Sequence, residues 1–244
     1  MEYTKQKFDE IKKLKNPDLI NDFIIKLSEE PKKEYLIYLK DLIKNLDIQI
    51  LNKVCLNLIF VLGEIGKSNS IDEYHMNFLY ETYHRSDRWI RNEIIQTIEK
   101  ISNKSKLNEK IIYLIGNALR DDYDFIQFNA LKVLLNLESF PDSIFKNIFH
   151  LLNLKNSSII ESCRHILDKI QLNHQQLFNL LNQSENYKIL KQRGIRSLLL
   201  IQFKSIINLE SFRDKILNSD WNEKYKENYL KELDTFQRIL AKNI

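Results

Sequence analysis

One apolar pattern returns in every second helical segment, and it limits the fold more than any other feature of the chain. An anchor is followed by a small or apolar residue at +4, an apolar residue at +8 and usually another at +11. The clear instances are Ile50–Val54–Leu58–Val61, Ile90–Ile94–Ile98–Ile101, Ile126–Ala130–Leu134–Leu137, Ile159–Cys163–Leu167–Ile170 and Leu190–Gly194–Leu198–Ile201. Their anchors are separated by 40, 36, 33 and 31 residues. Weaker units begin at Leu19 and Tyr225, which lie 31 and 35 residues from the nearest clear anchor. Spacings of three and four place these residues on one helix face. A repeat of roughly 30–40 residues in a helical chain is that of stacked antiparallel helix pairs. One pair cannot bury both of its apolar faces, whereas a stack buries them in a continuous core. The small residues Ala130, Cys163 and Gly194 at +4 allow close approach between neighbours. A compact bundle would share the helical period but would not need the same anchor pattern five times.

The remaining sequence agrees with an all-α chain. Strict alternation over six or more residues is absent, and the breaks are short polar clusters at 66–70, 102–105, 119–124 and 153–158. Pro17, Pro31 and Pro141 each follow such a break and are expected at first helical positions. Ser158 with Glu161, and Asp220 with Glu223, have capping-box spacing. Only 4 Gly and 3 Pro occur in 244 residues, which argues against a loop-rich β fold. The last helix, 224–243, is expected to pack Tyr225, Tyr229, Leu233, Phe236 and Leu240 inward as a cap. The opening MEYTKQKFDEIKK has no apolar core, so no secretory signal is expected. The longest apolar stretch, Val54–Leu62, is broken by Asn57 and reads as too short to span a bilayer. A cytoplasmic or other intracellular soluble protein is expected.

The second helices resemble HEAT repeats, an armadillo-like family. Its pattern is an Asp before the helix, then Val-Arg, a small residue and a later Leu. Asp87, Ile90, Arg91, Ile94 and Ile98 match best, and Asp124, Ile126, Gln127, Ala130 and Leu134 match with Gln for Arg. Ile160 and Lys191 hold the Arg position in the next two units. The resemblance covers roughly residues 15–244. It implies a right-handed α-solenoid of about six to seven repeats, forming one domain over 1–244 with weaker capping units at about 1–45 and 205–244. The family includes scaffolds, transport receptors, nucleic-acid binders and a few enzymes, so it specifies fold more than function.

No convergent catalytic set emerges. The glycines Gly63, Gly66, Gly116 and Gly194 are isolated, which leaves no phosphate loop, and Gly63 and Gly66 read as the end of a helix. There is no CxxC, HExxH or GxSxG, and no His-Glu dipeptide of the kind used by helical iron hydroxylases. Cys163 and His165 are two apart and fall on different sides of a helix, with Cys163 in the core and His165 exposed. Cys55 reads as a small buried hydrophobe. No metal or cofactor is expected.

Binding residues are expected in two places. The first is the polar-aromatic segment 80–93, where Arg85, Arg88 and Arg91 could grip phosphate or carboxylate beside Trp89. The alternative reading gives Asp87 to the helix cap, pairs Arg91 with an acid across repeats and packs Trp89 into the turn. Asp87, Trp89 and Arg91 bear a superficial likeness to a helical-repeat DNA glycosylase family. No local motif carries over that family's catalytic aspartate, and residues 180–200 lack a second tryptophan. The second place is a basic column of Lys132, His165 and Arg196 at +6, joined by Lys191 and Arg193, with Phe128 as an apolar residue at the otherwise polar +2 position. The formal net charge is +4. Residues 1–122 carry 20 Lys+Arg against 20 Asp+Glu, and residues 123–244 carry 17 against 13. No acid lies between Glu185 and Glu210. Two functions follow as expectations: a noncatalytic scaffold binding a protein, possibly an acidic one, along the concave face of the second helices, or a nucleic-acid binder using the basic C-terminal half.

Overall fold

The structure is a computed structural model that describes residues 2–242, with side chains over 4–241. Met1, Asn243 and Ile244, which belong to the expected terminal units, lie outside the described residues. All regular structure among the described residues is helical, in a stacked, repeat-like arrangement. Contacts gather into two compact units, 1–118 and 119–244.

The first unit contains α1 (Glu2–Leu14), α2 (Pro17–Glu29), α3 (Leu36–Asn45), α4 (Ile48–Gly66), α5 (Glu73–Tyr83), α6 (Arg88–Ser102) and α7 (Glu109–Ala118). Short side chains set the helix starts. Asn16 accepts from the N–H groups of Asp18 and Leu19, with Pro17 as the first helical residue. Asp47, Asp72 and Asp87 cap α4, α5 and α6 in the same way. The even-numbered helices pack side by side, α2 on α4 and α4 on α6, while α1, α3 and α5 back onto them. The repeated stripe makes this core, since Phe23, Leu27, Val54, Leu58, Ile94 and Ile98 are all buried.

The second unit contains α8 (Asp124–Asn136), α9 (Phe145–Leu151), α10 (Ser157–Ile170), α11 (His174–Asn182), α12 (Gln192–Gln202), α13 (Ile206–Leu217) and α14 (Glu223–Lys242). Its even-numbered helices again pack in succession, α8 on α10, α10 on α12 and α12 on α14. The +4 and +8 residues Ala130, Leu134, Cys163, Leu167, Gly194, Leu198, Tyr229 and Leu233 are buried. Trp221 lies between Tyr187 and Phe178 in a stack, with ring centroids 4.4 and 5.6 Å away. α14 packs on α12 and α13, with Tyr229, Leu233 and Phe236 buried and Tyr225 and Leu240 half-buried. Lys224, Glu227 and Lys231 face water as expected, but Lys226, expected there too, is half-buried and pairs with Glu223 at 3.0 Å.

Several local expectations are corrected. Pro31 precedes a single turn at Lys33–Tyr35, and Pro141 flanks another at Asp142–Ile144, so only Pro17 begins an α-helix. The α10 cap is Asn156, not Ser158, and the reciprocal capping box occurs at Asn173–Gln176. Gly63 lies inside α4 rather than at its end, because a β-carbon there would meet Thr97 of α6 at about 2.9 Å. α4 itself extends well beyond the Val54–Leu62 stretch. Its 19 residues make it long and apolar enough to cross a membrane by length and composition. Here the apolar surface forms core, with Val54, Leu58, Val61 and Leu62 fully buried.

Candidate binding sites

The turn between α5 and α6 carries the first expected patch. Asp87 Oδ1 accepts from the N–H groups of Trp89 and Ile90 at 2.9 and 3.0 Å, so its role is structural. Arg91 Nη1 donates to the Ser86 carbonyl at 3.1 Å and ties the turn to the helix. Trp89 does not plug the turn. It is 59% exposed, because it sits one residue before the buried register, and the Arg88 guanidinium lies 5.0 Å from its ring centroid. Arg85 is 62% exposed, and its partner is the equally exposed Glu81 at 3.9 Å.

Beneath Arg85 is a pocket of about 450 Å³ between α4, α5 and α6. Leu51, Cys55, Phe78 and Ile90 line it, together with Asn52, Thr82, Ser86 and Asp87. Burial pushes the Cys55 thiol up to about 11, against the pull of Arg85, so it is protonated at neutral pH. Burial also pushes Cys163 up to about 12. Both thiols are buried and free, which gives neither the thiolate character of a nucleophile. Among the described residues no group of three or more His, Cys, Asp or Glu side chains is placed to hold a metal ion.

The expected basic column in the second unit is taken up locally. Lys132 Nζ sits 4.8 Å from the half-buried Phe128 ring, one helical turn away. His165 is exposed, as expected, but lies 3.5 Å from Glu161. Arg196 donates through Nε to Glu232 Oε2 and through Nη2 to Glu232 Oε1 at 3.3 Å. Glu232, on α14, is only 2% exposed and also accepts from Gln192 Nε2 at 2.7 Å. The carboxylate holds the Arg196 guanidinium above its ordinary value, and Arg196 is therefore a link between α12 and α14 rather than an open phosphate contact. The acid gap between residues 185 and 210 hid this partner, which comes from 36 residues away. Lys191 and Arg193 remain exposed with no ion-pair partner among the described residues. The Lys191 backbone N–H is fixed by Asn153 Oδ1 at 2.8 Å.

A second concave site was not anticipated. A cleft of about 670 Å³ opens at the C-terminal ends of α8 and α10 against α9 and α11. Leu137, Phe140, Phe145, Ile170 and Leu172 supply apolar walls, and Glu138 and Asp142 stand on the lining. Lys169 Nζ donates to the carbonyls of Leu135 and Leu137 at 2.7 and 2.8 Å, capping α8. The sequence signal lay in the +11 residues. Val61, Ile101 and Ile201 are buried, but Leu137 is half-exposed and Ile170 is 36% exposed. The stripe fails to close in two successive units, and the gap is the cleft.

No protein-family model matches the chain, and no curated protein matches it. Among solved structures it is similar to an engineered protein solved by the Northeast Structural Genomics Consortium, at 14% identity over 81% of this chain and 95% of that one, with a TM-score of 0.47. In its own geometry each of the two units is an all-helical, repeat-like packing of helices.

Proposed function

We propose that the chain is a noncatalytic interaction scaffold of the HEAT-like class, a right-handed solenoid that binds a protein partner along its even-numbered helices. The observation that supports this reading is the open cleft at α8–α11, where residues of the repeated stripe remain uncovered. A concave, partly apolar site of this size suits an anchoring side chain from a partner. Acidic residues elsewhere in the partner would meet Lys191 and Arg193, which are exposed and have no ion-pair partner among the described residues. The test begins with affinity purification from the native cell and titration of the purified partner by calorimetry. Changing Phe140 and Ile170 together to Asp should weaken binding by about tenfold or more, since anchors in interface pockets carry most of the energy. Thermal melting of the variant controls for folding. Unchanged affinity in a folded variant rejects the cleft as the docking site.

A nucleic-acid reading rests on the same two exposed cations, Lys191 and Arg193. It has less support than the basic column suggested, because Arg196 is engaged by Glu232.

A further inference from the structure

We propose that the partner segment entering the cleft at α8–α11 carries a lysine or arginine beside its apolar anchor. This rests on the scaffold reading and names the chemistry of the segment that the cleft takes.

The charge of the cleft departs from that of the chain around it. Residues 123–244 carry 17 Lys+Arg against 13 Asp+Glu. The lining reverses that balance, with Glu138 and Asp142 against Lys169 alone. Lys169 is already committed, since its ammonium donates to the Leu135 and Leu137 carbonyls at 2.7 and 2.8 Å. Other acids of the unit are matched within it: Glu161 and Asp168 to Arg164, Glu185 to Lys188 and Glu232 to Arg196. Glu138 and Asp142 are exposed and have no ion-pair partner among the described residues.

Their placement sets what they recognise. Both lie on the connection from α8 to α9, which also supplies Leu137 and Phe140 to the apolar wall. An anchor seated against Leu137, Phe140 and Ile170 therefore has carboxylates beside it. A cation one or two residues from the anchor reaches them, whereas an acid there meets like charge. The α11 side of the lining is neutral, with Gln176 and Asn179, so selection by charge comes from the α8–α9 connection. An exposed ion pair contributes about fivefold at most, so the anchor supplies the affinity and the carboxylates supply the preference. The partner then meets the two signs at different places, its cation at the ends of α8 and α10 and its acids at the start of α12.

The test is a titration of the isotope-labelled full chain, followed by amide NMR at low ionic strength, where exposed pairs count most. The probes are the amides of acetyl-phenylalanyl-arginine, acetyl-phenylalanyl-citrulline and acetyl-phenylalanyl-glutamate, which differ in charge on a common anchor. The expected result is saturable shifts at the end of α8, the α8–α9 connection and the end of α10. The arginine peptide should bind about three- to tenfold more tightly than the neutral citrulline peptide, and the glutamate peptide more weakly than either. Glu138→Gln with Asp142→Asn should bring the arginine peptide down to the citrulline peptide and leave the citrulline peptide unchanged. Both positions are exposed, so the melting temperature should hold. If the double variant does not fold, each single variant should remove part of the preference. Equal binding of the arginine and citrulline peptides by the wild type overturns the proposal and leaves the cleft as a neutral anchor site. A preference that survives the double variant also overturns it, because the cation is then met elsewhere. So does the absence of saturable shifts with all three peptides; the scaffold reading is then decided separately, by the affinity of the purified partner for the Phe140→Asp, Ile170→Asp variant.

Discussion

His75 is fully buried, with Nδ1 2.7 Å from Asp72 Oδ1. Burial holds its pKa below the ordinary 6.5, outweighing the attraction of Asp72 and the Leu36 backbone, and Lys40 adds to the depression. The folded state therefore binds a proton less readily than the unfolded chain. Stability from this residue is complete above about pH 6.5 and is lost as pH falls toward the folded value. Glu93 acts in the opposite sense nearer its ordinary 4.5, because burial raises its pKa and acid favours the folded form. Urea denaturation of the wild type and His75→Gln at pH 7.5, 6.0 and 5.0 separates the two effects. The wild type should lose stability relative to the variant as pH falls through this range, and parallel curves would refute the assignment. Not all of this was legible in the sequence. Asp72 three residues before His75 is a local pattern, but the burial that controls the titration comes from tertiary packing. Glu232 shows the same limit, since its partners Gln192 and Arg196 lie 40 and 36 residues away.

At the scale of the element, the contact between α4 and α6 depends on Gly63. A β-carbon there would come within about 2.9 Å of Thr97 Oγ1 and 3.3 Å of Thr97 Cα. Thr97 cannot rotate away freely, because its hydroxyl donates to the Ile59 carbonyl at 3.0 Å. Alanine gains about 1 kcal/mol over glycine in helix propensity. Overpacking and the disturbed hydrogen bond cost about 1–3 kcal/mol. Gly63→Ala should therefore lose about 1 kcal/mol net, measurable by urea denaturation. A stabilised variant would show that α6 can shift without cost. Sequence reasoning located all seven even-numbered helices through the stripe, and it recognised the Asp87 cap, because both signals are periodic or local. It placed Gly63 at a helix end, since isolated glycine has two uses and only the neighbouring helix decides between them. It also assigned Leu137 and Ile170 to the core. Their register was right, but cover at +11 depends on α9 and α11, and α9 spans only 7 residues. The absence of that cover produces the cleft.

At the scale of the molecule, the question is what the excess positive charge of residues 123–244 meets. Lys191 and Arg193 are two of its exposed cations, at the start of α12. Changing both to Glu leaves Arg196 in place. This matters because Arg196→Glu would set a second acid against buried Glu232, and a folding defect would then imitate a binding defect. The Lys191 backbone contact to Asn153 does not involve the exchanged side chain, so circular dichroism of the double variant should match the wild type. Fluorescence anisotropy with duplex and single-stranded probes at several salt concentrations then reads nucleic-acid binding. If these residues contact phosphates, the double variant should bind unrelated sequences more weakly and show a salt slope shallower by about two, one for each lost contact. If they meet an acidic protein, both proteins should bind the probes negligibly near physiological salt, while the variant loses affinity for the purified partner. The scaffold reading expects the second pattern. Strong, salt-dependent binding of the wild type to nucleic acid, abolished in the folded variant, would replace it with the first.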